Sequence, residues 1–157
     1  MRSHDLQDFL LKCHQSGYAT GNYNAWKKEE DGSTTIVFTE GSWRMQDNFL
    51  GGEPYGGREV VWYKNSPAWI MVYYGRVGKD YGKQREKIYR FLQHALRHPP
   101  DMMPLRGPKS YTDDPLHYQN FWRGTIEQFQ GSKKIYFGKK KVYDAHFLGG
   151  LVNVFPD

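Results

Sequence analysis

Displaced by 74 positions against itself, without a gap, this sequence lays Tyr55 on Phe129, Gly57 on Gly131, Val61 on Ile135, Tyr63 on Phe137, Trp69 on Tyr143, Tyr73 on Phe147 and Gly75 on Gly149. Rings, glycines and aliphatic residues stay in phase throughout. Alternate residues carry the bulk, which is the period of a strand whose two faces differ. The feature therefore predicts two equivalent antiparallel hairpins, with Trp69, Met71 and Tyr73 sharing one face in the first and Tyr143, Ala145 and Phe147 in the second. A competing match, Phe49-Leu50-Gly51-Gly52 repeated as Phe147-Leu148-Gly149-Gly150, is verbatim but only four residues long. The longer displacement also brings the first helix near the start of the second. It implies an internal duplication, about 4–77 and 78–152, within one α+β domain spanning residues 1–157.

Two helices stand out by spacing. Leu6, Phe9, Leu10 and Cys13 recur at helical intervals between Asp5 and His14, with Ser3 as a cap and Gly17 as a stop. Between Lys83 and Arg97 the apolar face is Ile88, Phe91, Leu92, Ala95 and Leu96, and Pro99-Pro100 ends it. The rest reads as strand: Tyr23 to Glu29, Thr34 to Thr39 across the Asp31-Gly32 turn, Ser42 to Phe49, Gly57 to Lys64, Pro67 to Gly75, Phe121 to Phe129, Lys133 to Phe137 and Lys141 to Leu148. The Pro-rich stretch from Pro99 to Pro115 is expected to be an ordered loop anchored by Met102, Met103, Leu105 and Tyr111. Pro67 to Tyr74, apolar on both sides, reads as a central strand covered twice. The predicted fold is a twisted antiparallel sheet of about seven strands, in two related meander halves, with two helices packed on one face.

Aromatic residues make up 17% of the chain although the mean hydropathy is −0.82, so much of the apolar mass sits in amphipathic rings. One cysteine allows no internal disulfide and no Cys-clustered zinc module. No apolar run reaches the roughly 20 residues of a membrane helix, and residues 1–8 lack the pattern of a signal peptide. A cytoplasmic protein without membrane partners is the expectation. The net charge of +5 is concentrated in residues 79–109 and 123–141.

Phe49-Leu50-Gly51-Gly52-Glu53-Pro54-Tyr55-Gly56-Gly57-Arg58-Glu59-Val60-Val61-Trp62, with Pro67-Ala68-Trp69-Ile70-Met71-Val72-Tyr73-Tyr74-Gly75 after it and Gly17-Tyr18-Ala19 before it, resembles a bacterial domain family of unknown function. Its members occur alone or behind XRE-type helix-turn-helix regulators. Val72 departs from the pattern, which has a polar residue before Tyr-Tyr-Gly. The resemblance implies a fold and a regulatory neighbourhood and assigns no catalytic residue. With no helix-turn-helix ahead of its first strand, the chain is expected to be the partner domain without the DNA reader.

Each candidate chemistry has a plainer competitor. Gly51 to Gly57 lacks the Gly-Lys-Ser/Thr and following helix of a phosphate loop and reads better as a hairpin joint. Glu53 and Glu59 form a candidate acid/base pair; Glu59, on the face of Val61 and Tyr63, needs a partner, with Arg44, Arg58 and Arg76 as candidates. Asp144 and His146 share a strand face, as an orienting carboxylate beside an imidazole would. His94 and His98 have the spacing of a zinc pair, but Ala95 stands where the catalytic Glu would be. Cys13 reads as a small buried hydrophobe. No metal and no cofactor is expected.

The leading expectation is a small-molecule-binding or sensing domain whose pocket lies on the concave face opposite the helices. Tyr55, Trp62, Trp69 and Tyr74 would form its walls, with Glu59 and His146 supplying polarity. The alternatives are a hydrolase or isomerase using Glu53, Glu59, Asp144 and His146, and a module that forms a homodimer through its apolar sheet face. Basic residues within 83–97 and 133–141 add weak nucleic-acid contact as a further expectation.

Overall fold

The computed structural model describes residues 3–16, 26–98, 100, 103 and 106–153. The Leu6, Phe9, Leu10 and Cys13 stripe is the buried face of α1 (Ser3–Ser16). Ser3 is the first described residue of that helix, and its hydroxyl donates to Glu127 Oε1 at 2.6 Å. α2 (Arg85–Leu96) buries Ile88, Phe91, Leu92, Ala95 and Leu96, the residues its spacing selects. It follows a short 3-10 stretch, Lys79–Gln84. Gly17, Tyr18 and Ala19 lie outside the described residues, as do the first part of the strand read from Tyr23, and Pro99, Met102 and Leu105.

Among the described residues, nine strands form one antiparallel sheet: β1 (Lys27–Lys28), β2 (Thr34–Glu40), β3 (Trp43–Gly51), β4 (Tyr55–Tyr63), β5 (Ser66–Val77), β6 (Ser110–Asp113), β7 (Leu116–Thr125), β8 (Gln128–Phe137) and β9 (Lys140–Leu151). The expected count of about seven is thus too low. β6 lies inside the Pro-rich stretch read as loop, where Asp114-Pro115 turns the chain so that Ser110–Asp113 pairs back on β7. The single strand read over 121–129 is two strands meeting at Thr125 and Gln128, because Gly124, at φ 95°, starts a turn there.

The order across the sheet is β1-β2-β3-β4-β5-β9-β8-β7-β6. β5 and β9 pair at the centre, with Tyr73 opposite Phe147, residues 74 positions apart. Tyr55 faces Gly75 across β4 and β5, and Phe129 faces Gly149 across β8 and β9. The register slips after Val61 in one half and after Ile135 in the other. Positions 74 apart therefore occupy matching places on either side of the central pair.

Both helices pack on one face of the sheet. α1 covers Met45, Val61, Trp69, Met71, Phe129 and Phe147, and α2 covers Val77, Leu116, Tyr118, Ile135, Tyr143 and Ala145. Trp69 is fully buried there, stacked on Phe129 at 5.5 Å, with its indole N–H donating to the Ile126 carbonyl at 3.0 Å. The opposite face of the central strand is covered only in part: Ala68 is buried and Ile70 half-buried, while Val72, Tyr74 and Leu148 are exposed.

The rings at the centre need glycine opposite them. A Cβ on Gly131 would sit 2.3 Å from the Phe121 carbonyl oxygen and 2.4 Å from Phe147 Cζ, distances that force backbone and ring apart. Gly131→Ala is expected to lose about 2–3 kcal/mol in urea denaturation. A loss under about 0.5 kcal/mol would mean that the Phe147 ring swings aside freely.

Candidate functional site

On the helix-covered face, alternation along three strands turns Asp47 (β3), Glu59 (β4) and Tyr73 (β5) toward one place, although two of the three are acids. Asp47 and Glu59 are almost wholly buried, which is costly for carboxylates unless they are paired. The pairing group is Arg106, from the segment between α2 and β6. Its Nη2 bonds both Asp47 Oδ2 and Glu59 Oε2. His14, at the end of α1, meets the other Glu59 oxygen, Nε2 to Oε1, at 2.6 Å, and the Tyr73 hydroxyl donates to Asp47 Oδ1. His14 Nδ1 is buried and meets no partner among the described residues.

These contacts fix the charge states. Burial pushes the Glu59 carboxyl up, but the facing His14 and Arg106 outweigh it and hold Glu59 well below the usual carboxylate range. Burial also works against the Arg106 charge, and Asp47 and Glu59 outweigh that, so the guanidinium stays protonated. Cys13 lies beside the cluster with its thiol donating to the Leu10 carbonyl at 3.3 Å. Burial first, then the Glu59 charge, drives its pKa far up, which removes the thiolate a nucleophile needs.

Ligand atoms of Cys13, His14 and Glu59 lie within 4.8 Å of one another, the spacing of a metal cluster. The Arg106 guanidinium already holds one Glu59 oxygen, and a fixed positive charge at that point opposes a divalent cation. Glu59 itself finds none of its expected partners. Arg44, Arg58 and Arg76 all stand on the opposite face by strand alternation, Arg44 lying 3.7 Å above the Trp62 ring.

Next to the cluster, between the sheet and α2, is a cavity of about 360 Å³. This lies within the range of roughly 300–1,000 Å³ typical of small-ligand pockets. Tyr55, Tyr73, Tyr89 and Tyr143 give it aromatic walls, and Phe49, Met71, Leu92 and Phe147 add apolar ones. The tyrosine hydroxyls are turned to structural partners: Tyr55 and Tyr143 bond each other, Tyr73 bonds Asp47, and Tyr89 bonds Glu53. Lys133 of β8 also lines the cavity. It is 74 positions from Glu59 and occupies the matching place in the other half of the sheet.

The six residues read from the sequence as a binding site are divided by the sheet. Tyr55, Glu59 and Trp69 face the helices; Tyr55 lines the cavity, Glu59 is in the ion cluster and Trp69 is in the core. Trp62 and Tyr74 belong to the outer face, and the largely exposed His146 borders both the cavity and a more open outer recess of about 520 Å³. The cavity of about 360 Å³ thus lies on the helix-covered face and the more open recess of about 520 Å³ on the expected opposite face, because Tyr55, Tyr73 and Tyr143 alternate toward the helices and Trp62 and Tyr74 away from them. Glu53 accepts from the Val77 N–H at 2.8 Å and from Tyr89, tying the hairpin joint to β5 and α2. Asp144 sits 3.5 Å from His146 and 2.9 Å from Lys141. His94 and His98 stack with Tyr111.

Residues 47–152, two thirds of the chain, match the family described as Domain of unknown function (DUF5680). The chain belongs to this family. The DUF5680 match contains Asp47, Glu59, Tyr73, Arg106 and Lys133, so the charged cluster and the cavity lie within it except for the α1 residues Cys13 and His14 and the β1 flank. No curated protein and no solved structure shows a match to the chain. Among the described residues, no helix is long and apolar enough to cross a membrane.

Proposed function

We propose that this DUF5680 chain is a small-molecule-binding domain whose ligand enters the cavity between the sheet and α2. The observation that carries the reading is an aromatic-walled hollow next to a buried cluster whose charges are paired with one another. The rings are held by their hydroxyls while their faces stay open to the cavity, so the walls are set before a ligand arrives and little ordering is left to offset on binding. The Phe49–Gly75 motif supports placing the domain beside XRE-type regulators, where such a cavity would sense a metabolite. Acid–base chemistry on Glu53, Glu59, Asp144 and His146 is less favoured, because Glu53 and Glu59 are committed to structural partners and Asp144 pairs with Lys141 and the largely exposed His146.

A neutral aromatic probe tests the reading. N-Phenyl-1-naphthylamine is expected to bind one per chain with a rise in fluorescence, and Ala145→Leu, which fills the cavity wall, should weaken it at least tenfold. Undiminished binding by a folded Ala145→Leu protein would move the site elsewhere, and no binding at all would remove it.

A further inference from the structure

Almost every polar side chain around the cavity has its capacity taken up by a neighbour, and Lys133 is the exception. Its side chain is buried to more than nine tenths. No ion pair or hydrogen bond joins its ammonium to any described residue, and the ammonium lies 5.4 Å from the centroid of the Phe147 ring. The nearby acids favour its charge only from a distance, because the oxygens of Asp47 and Glu59 are held by Arg106, His14 and Tyr73. A long amine without a partner costs stability when buried, and a domain built only for packing would place an apolar residue there. The same β8 position matches Glu59 in the other half, where a complete set of partners is supplied, so a buried charge in this place is ordinarily answered by a counter-charge.

Resting on the pocket reading above, we propose that Lys133 is an anchoring residue and that the natural ligand is an apolar or aromatic acid. Its carboxylate pairs with the Lys133 ammonium and its body lies among the tyrosine and phenylalanine rings. The ligand's anion supplies the counter-charge that the protein withholds. Lys133 lines the cavity beside the Phe147 ring, so the carboxylate seats against β8 and the apolar body fills the remaining space. Neutral and cationic molecules of the same shape leave the amine unanswered and bind less well.

Matched probes test this directly. 2-Naphthoate and 2-naphthamide share one ring system and differ in charge. By titration calorimetry at pH 7, the wild-type protein is expected to hold 2-naphthoate at least tenfold more tightly than 2-naphthamide. Lys133→Met should bring the two affinities within a factor of two while N-phenyl-1-naphthylamine still binds. Equal affinities in the wild type, tighter binding of the amide, or an undiminished preference in Lys133→Met each overturn the assignment. Because N-phenyl-1-naphthylamine carries no charge, its binding separates the two levels: retained with no preference for the acid, it leaves the cavity as a pocket and removes only the anionic ligand class.

Discussion

Replacing Arg106 with methionine is expected to cost about 3–5 kcal/mol of folding stability, enough to bring a domain of ordinary stability to the edge of unfolding at room temperature. The guanidinium bridges Asp47 and Glu59, and without it two almost wholly buried carboxylates keep only Tyr73 and His14 as partners. Urea denaturation measures the loss. The cost comes from the stranded acids, so adding Asp47→Asn and Glu59→Gln to Arg106→Met should recover most of it. A loss below about 1 kcal/mol would mean that the cluster is hydrated and contributes little.

The pH dependence distinguishes the two proteins by sign. In the wild type, Glu59 is held below its unfolded value, so the unfolded chain binds the extra proton and stability declines as the pH falls below about 5. In Arg106→Met the Glu59 carboxyl loses the guanidinium that offsets its burial, so its pKa is expected to rise. The folded state then takes up protons before the unfolded one, and lowering the pH from 7 toward 5 should stabilise the variant. Parallel pH profiles would argue against an Arg106-centred cluster.

Period-two alternation made much of the fold legible. The α1 and α2 stripes and the faces of Trp69, Met71, Tyr73, Tyr143, Ala145 and Phe147 follow directly from spacing, because burial of large residues dominates their energetics. The same alternation, once the strand register is known, turns Arg44, Arg58 and Arg76 away from Glu59, so none of these candidates serves it. Arg106 carried no such signal. It lies in an irregular segment, at φ 57° and followed by Gly107 at φ 86°, and no periodicity announces where an irregular segment aims a side chain. His14 extends the α1 stripe by one residue from Cys13 and was legible only as a helix end. Lys133 was counted in a basic run. Strand parity places it with Ile135 and Gly131 on the inner face, and that placement separates it from the solvent-facing lysines of the hairpin end.

Lys133→Met should make the protein more stable, by about 1–4 kcal/mol at pH 7, an unusual sign for a change at a buried position. Burial, with the Arg106 charge adding to it, lowers the amine from its ordinary range to about 7, and Glu59 and Asp47 offset only part of this. The unfolded chain keeps its proton up to about pH 10. Between those values the unfolded state binds more protons than the folded one, so wild-type stability should climb as the pH rises from 7 to 10, and that climb should be absent from Lys133→Met. The gap between the two proteins is therefore widest near pH 7 and below, and closes toward pH 10. Urea denaturation at pH 7 and 9.5 measures it. A variant no more stable than the wild type at pH 7 would mean that the amine already has its partner within the protein. If the amine instead awaits an anion, saturating 2-naphthoate should stabilise the wild type at pH 7 and leave Lys133→Met nearly unmoved, so that the ligand recovers what the lysine costs.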